Sequence, residues 1–173
     1  TKMATSKIVD NNGIIIAGAG TVRGSNILHY GWKAPKPTAN QDLDKFMTQT
    51  FIPQMRKAFI DAGYDGKEDG DAAWQDSHLL VSIKGVIYPI FNDYSWDREA
   101  RNVYYAGSGG DIALGALEAL HYDKVKTPEQ AEKLLPHLDA FPRSIKFVVF
   151  DFVSEGLPNF YLRTFADLLS QAD

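Results

Sequence analysis

Cysteine is absent from the 173 residues. That absence removes disulfides, thiolate nucleophiles and Cys-ligated zinc from the chemistry open to them, and it fits a reducing compartment without demanding one. A basic surplus is missing as well. The 18 Lys and Arg stand against 22 Asp and Glu, for a net charge of −4, which argues against a nucleic-acid partner, since phosphates are held by a basic face. Apolar runs such as Phe147–Phe150 are far short of a membrane span, and the polar opening Thr1–Asn12 has no signal-peptide core. Histidine is scarce: His29, His78, His121 and His137 are scattered without metal-ligand spacing, so neither a zinc site nor a Ser-His site is expected. These absences lead to the expectation of a cytoplasmic protein with no metal, no cofactor, and no nucleic-acid or membrane partner.

What is present is ordinary globular composition, 45% hydrophobic and 23% charged, on a length that suits one domain over 1–173. Met3–Val9 and Ile14–Ile16 read as strands around the turn residues Asp10-Asn11-Asn12-Gly13. The second strand ends in Ala17-Gly18-Ala19-Gly20, where small residues permit close approach of a backbone or a ligand. A short helix follows over Val22–Tyr30, then a proline-containing loop over Lys33–Asn40. Asp42–Ala62 carries an apolar stripe of Phe46, Phe51, Met55, Phe59 and Ile60 and reads as a long helix, kinked or interrupted at Pro53 and capped by Gly63. The acidic stretch Tyr64–Asp76 lacks the EF-hand spacing, so its Asp65, Glu68, Asp69 and Asp71 are expected to be solvated rather than to hold calcium.

A second hairpin is expected from His78–Ile83 and Val86–Phe91 about the Lys84-Gly85 turn. A strand over Asn102–Ala106 then leads through Gly107-Ser108-Gly109-Gly110 into a helix from Asp111 to about His121. That helix is apolar on more than one face and is expected to be buried between layers. Thr127-Pro128-Glu129-Gln130 opens a helix running to about Leu135. Ser144–Phe152 reads as a strand, Val153–Asn159 as a loop and Phe160–Ser170 as a final helix. Trp74, Trp96, Tyr88, Tyr94, Tyr104 and Tyr105 read as packing or subunit-contact residues.

Three motifs in this order resemble the proteasome β-subunits and their simpler bacterial relatives, over roughly residues 2–153. They are the run Lys2-Met3, Ile8-Val9-Asp10-Asn11 and Ile14-Ile15-Ile16-Ala17-Gly18-Ala19-Gly20; then Tyr105-Ala106-Gly107-Ser108-Gly109-Gly110 before an alanine-rich helix; then the helix at 128–135, Asp139 and the strand at 145–152. The resemblance implies an α+β fold, a four-layer αββα sandwich of two mainly antiparallel sheets flanked by helices. It implies an N-terminal-nucleophile hydrolase in which an N-terminal threonine attacks a peptide carbonyl and its own α-amino group, or a water, accepts the proton. Lys2 then takes the place of the activating lysine, Gly20 that of the oxyanion-hole glycine, and Ser108 and Asp139 those of the residues that organise the nucleophile's amino group. Gly18, Gly20 and Val22 fall on the substrate-binding side.

In the family a hairpin of about thirty residues precedes that lysine, begins with the nucleophile and carries an aspartate that pairs with the lysine. With Lys2 as the family lysine, this hairpin is missing from the residues here, as in a fragment or in a protein that lacks the nucleophile. Thr1 is the other candidate nucleophile, although the strands then fit the family order less well. Expected partners are copies of the chain in a ring or other homo-oligomer and a peptide or protein substrate, and the resemblance admits an ATPase partner. A non-catalytic protein retaining the fold and an amidase acting on a small molecule are the rival expectations.

Overall fold

The computed structural model describes residues 8–65, 75–98, 103–107, 110–119, 130, 133, 147–154 and 157–164. The chain is mixed α+β with antiparallel sheets. It divides into two compact units, one formed by Thr5–Ile83 with Tyr88–Asp97, the other built largely on Arg98–Asp173.

A four-stranded sheet takes its strands in sequence order: β1 (Ile8–Asn11), β2 (Ile14–Gly20), β3 (Ser77–Ile83) and β4 (Val86–Ile90). Both hairpin turns have two residues at positive φ, Asn12 (61°) with Gly13 (80°) and Lys84 (47°) with Gly85 (89°). That is the twist-matching geometry of two-residue hairpins, and it explains why these dipeptides were legible as turns. The central strands bury successive residues, Ile16 through Ala19 on β2 and Leu79 through Ile83 on β3. Side chains alternate across a strand, so both faces of the sheet centre are dry.

Between β2 and β3 lie the helices. α1 (Val22–Asn26) passes into a π-turn over Ile27–Gly31, and the segment after it is held by a buried side chain on β1. Asn11 donates from Nδ2 to the carbonyls of Leu28 (2.7 Å) and Trp32 (3.1 Å) and accepts from the Ala34 N–H at 2.9 Å. The helix read from Asp42 runs on without a break in helical backbone but is widened in one turn ahead of its proline. Asp42 caps α2 (Leu43–Phe46), its carboxylate accepting from the Lys45 N–H. A π-turn over Met47–Phe51 follows, closed by the Ile52 N–H on the Met47 carbonyl, and α3 (Ile52–Asp61) continues with Pro53 in its first turn, where a missing N–H does no harm. Phe46, Met47, Phe51, Met55 and Phe59 are all fully buried. Tyr88 on β4 donates to Asp44 at 2.7 Å and Trp96 donates to Thr48 at 3.1 Å, fixing the helix beside the sheet's last strand.

α3 ends in a Schellman motif. Gly63 (φ 66°) donates to the Ile60 carbonyl and Tyr64 to the Phe59 carbonyl, while the Tyr64 ring packs edge-on against Phe59 at 5.0 Å. Of the acidic residues expected to be solvated, Asp65 is not, while Glu68, Asp69 and Asp71 lie outside the described residues. The Asp65 side chain is 5% exposed, pairs with Arg56 at 3.4 Å and accepts from the Tyr94 hydroxyl. A buried carboxylate needs such partners, and they come from outside its own loop.

In the other unit, β5 (Val103–Ala106), β6 (Phe147–Ser154) and β7 (Leu157–Thr164) form an antiparallel three-stranded sheet in that order. α4 (Gly110–Ala119) follows β5. Two expectations are corrected here. Residues 157–164, read partly as loop and partly as a final helix, are strand β7, paired residue for residue with β6 from Ser154↔Leu157 to Phe147↔Thr164. The proline at 158 is tolerated because β7 is an edge strand among the described residues, where one side of the ladder needs no donor. Nor is α4 buried all round, since Asp111, Gly115, Glu118 and Ala119 form an exposed face. The helix read over 128–135 lies largely outside the described residues.

Of the aromatics read as packing or subunit contacts, Tyr88, Tyr94 and Tyr104 are buried, Trp96 and Tyr105 are half-buried, and Trp74 lies outside the described residues. The large apolar side chains that are exposed among the described residues are Val22, Tyr30 and Ile60. No helix among the described residues is long and apolar enough to cross a membrane.

Candidate functional site

The end of β2 is where the sequence-derived site and the structure meet. β2 runs antiparallel to β3 with Gly18 opposite Leu79, Ala19 opposite His78 and Gly20 opposite Ser77. Gly18 is buried, and a Cβ there would lie 3.2 Å from a Leu79 methyl and 3.5 Å from the Ser25 hydroxyl. Gly20 is exposed but has no room for a side chain. Its φ is +131°, and a Cβ would sit 2.4 Å from the Asp76 carbonyl oxygen and 2.8 Å from the Ser77 Cα. Both conditions demand glycine, so at this point the strand presents bare backbone.

Thr21 follows in extended conformation at the N-cap of α1, and its N–H donates to the Asp76 carbonyl at 3.1 Å. Its hydroxyl makes no capping bond. Instead it lies 2.5 Å from the Tyr64 hydroxyl, which in turn lies 2.9 Å from the Ser77 hydroxyl. Gly24 leaves space for this chain of three hydroxyls, because a Cβ there would come within 2.8 Å of the Ser77 oxygen and 3.0 Å of the Tyr64 oxygen. Arg23 adds a second tie to the same helix end, donating to the Ala62 carbonyl at 3.0 Å. Val22, between them, is 52% exposed.

The surroundings carry two shifted groups. Burial lowers the pKa of His78, which packs its ring 5.0 Å from Phe91. Burial, and then the bond to Asp65, holds the Tyr94 phenol well above the usual tyrosine range, with the Arg56 guanidinium 5.6 Å above its ring. Gln75, fully buried beside Ser77, donates to the Ser77 and Phe91 carbonyls, and its Oε1 has no partner among the described residues. No three metal-ligating side chains gather among the described residues.

Of the site residues read from the sequence, Gly18, Gly20 and Val22 are brought together at the β2–α1 junction. Thr1, Lys2, Ser108 and Asp139 lie outside the described residues. Sequence reasoning missed Thr21, Tyr64 and Ser77. The position of Tyr64 had a signal, since a residue one past a helix-ending glycine packs back on the helix, but nothing in the sequence linked it to Thr21, 43 residues earlier. Compared with protein families, curated proteins and solved structures, the chain has no match.

Proposed function

We propose that this chain is a subunit of a proteasome-β-type N-terminal-nucleophile hydrolase that cleaves peptide bonds inside a homo-oligomer. The observation that carries the proposal is Gly20, an exposed glycine ending a buried strand, held at positive φ against a neighbouring backbone and leading directly into a helix. This is the place where the resemblance puts the backbone donor to the oxyanion. The four-layered αββα arrangement is part of the proposal, and the antiparallel four-stranded sheet with its helices between β2 and β3 is compatible with it. Among the described residues, the order of strands and helices through β6 is the one read from the sequence.

In this proposal the nucleophile's hydroxyl oxygen attacks the scissile carbonyl carbon, and the proton passes to the nucleophile's own α-amino group. The charge of Lys2 favours the deprotonated oxygen, and the backbone at Gly20 stabilises the tetrahedral oxyanion. Ser108 and Asp139 orient the amino group. Collapse of the intermediate returns the proton to the departing amine and leaves an ester, which water hydrolyses. The nucleophile is the threonine that begins an upstream hairpin, or Thr1. No metal or cofactor is called for, the compartment is the cytoplasm, and an ATPase partner feeding unfolded substrate is compatible with the assembly.

The test is expression of the natural full-length gene product, followed by N-terminal sequencing, intact mass, hydrolysis of fluorogenic peptides and labelling by a peptide vinyl sulfone. A processed N-terminal threonine that is labelled and required for peptide hydrolysis is the expected result. A folded protein with neither processing, label nor hydrolysis would be a non-catalytic member of the same fold. Cleavage restricted to small amides would point to an amidase.

A further inference from the structure

We infer that Tyr64 is a positioning residue, whose phenol sets the Gly20–Thr21 turn from the C-terminal end of α3; the functional part of this inference rests on the reading of Gly20 as the oxyanion donor. Three observations converge. Thr21 is at a helix N-cap, where its hydroxyl would ordinarily bond to the helix's own N–H groups, yet it faces Tyr64 instead. The Tyr64 hydroxyl spans from Thr21 to Ser77, which is the β3 residue opposite Gly20. Finally, Tyr64 is itself fixed at two places, by its N–H on the Phe59 carbonyl and by its ring against Phe59.

One hydroxyl with a fixed ring therefore ties both sides of the Gly20 backbone. A hydroxyl can donate once and accept twice, so the central Tyr64 oxygen can bond to both neighbours at once and couple Thr21 to Ser77. The arrangement matters because Gly20 has no side chain to hold it, and glycine is the residue freest to leave its conformation. Arg23 on the Ala62 carbonyl reinforces the same connection. Catalysis through a backbone donor depends on that donor being in place before the reaction begins. Tyr64 supplies the constraint without touching the reacting atoms.

The experiment compares the full-length protein with Tyr64→Phe, using Tyr88→Phe as a control that also removes one phenol bond to the helical layer, that to Asp44. Hydrogen exchange at the Thr21 amide and peptide-hydrolysis kinetics are both measured. In Tyr64→Phe the Thr21 amide is expected to exchange about tenfold faster. Its kcat should fall about tenfold with KM within about twofold, because a displaced donor loses part of the 10²–10³ that a deleted one costs. Tyr88→Phe should alter neither. Unchanged exchange and kcat in a folded Tyr64→Phe would overturn the inference, as would an equal loss of kcat in Tyr88→Phe. Should Tyr64→Phe fail to fold, Ser77→Ala and Thr21→Val decide by the same readouts. Faster exchange in a full-length protein without hydrolytic activity would uphold the structural link and refute the hydrolase reading instead.

Discussion

Replacing Asn11 with alanine deprives three backbone groups of their partner without touching the sheet ladder. The Leu28 and Trp32 carbonyls each lose a donor and the Ala34 N–H loses its acceptor. Leu28 and Ala34 are both almost fully buried, so water reaches the vacated groups poorly. A stranded buried N–H costs about 1–3 kcal/mol and each lost carbonyl bond about 0.5–1.5 kcal/mol. Partial entry of water puts the expected destabilisation of Asn11→Ala near 3 kcal/mol. Asn11→Asp is the sharper probe. It keeps the acceptor for Ala34 but turns a carboxylate oxygen toward two carbonyl oxygens, so at pH 7 it should be at least as damaging as alanine. Those carbonyls and the burial would raise the folded-state pKa of the new carboxyl above its unfolded value of about 3.9. The folded protein then holds its proton over a range where the unfolded chain has lost it, so the deficit relative to the parent should shrink as pH falls toward 4. Urea unfolding at pH 7 and pH 4.5 measures both effects, provided the denaturant slope is unchanged. A loss below about 1 kcal/mol for Asn11→Ala, or no pH dependence in the Asn11→Asp deficit, would refute this account.

Three other outcomes are expected. Gly63→Ala meets open space and only a positive φ, so it should cost about 1–2 kcal/mol; Gly20→Ala meets the Asp76 carbonyl as well and should cost about 1–3 kcal/mol more in the same unfolding assay. Of the eight tyrosines, Tyr94 should be absent from the first tyrosinate absorbance transition on alkaline titration. Because its folded pKa is raised, its contribution to stability should disappear as pH climbs above about 10, and Tyr94→Phe should flatten that alkaline decline. His78, held below the ordinary histidine range by burial, makes the folded state less stable as pH falls through about 6.5, and His78→Phe should reduce that slope in thermal melts between pH 5 and pH 8.

Local chemistry accounts for what the sequence made legible. Asn12-Gly13 and Lys84-Gly85 announce their turns because few residues accept the required φ, and Pro53 and Gly63 mark an irregularity and an end for equally local reasons. The glycines of the candidate site were visible on the same grounds. Residues 157–164 were not, because their apolar spacing allows either helix or strand, and the choice is made by pairing with β6. Asp65 looked like one acid among several until Arg56 and Tyr94 closed on it. Asn11 looked like a turn residue, although its side chain bonds across 17 to 23 positions. The hydroxyl chain was hidden in the same way, since hydroxyls from three separate elements carry no signature until the fold places them together.

The π-turn at Met47–Phe51 gives the helix between β2 and β3 a built-in tolerance of length. Phe46 and Phe51 are five positions apart, a spacing that would set them about 140° apart around a regular α-helix, yet both are buried. The wider turn absorbs the surplus residue and returns the downstream face, with Met55 and Phe59, to the core. Removing Thr50 would bring Phe46 and Phe51 to a four-residue interval and let the turn close as ordinary helix. Pro53 would then stand in a helix interior, so the deletion and Pro53→Ala belong together. Chains of this architecture can therefore differ by one residue at this place, with or without the proline, while keeping the same buried face.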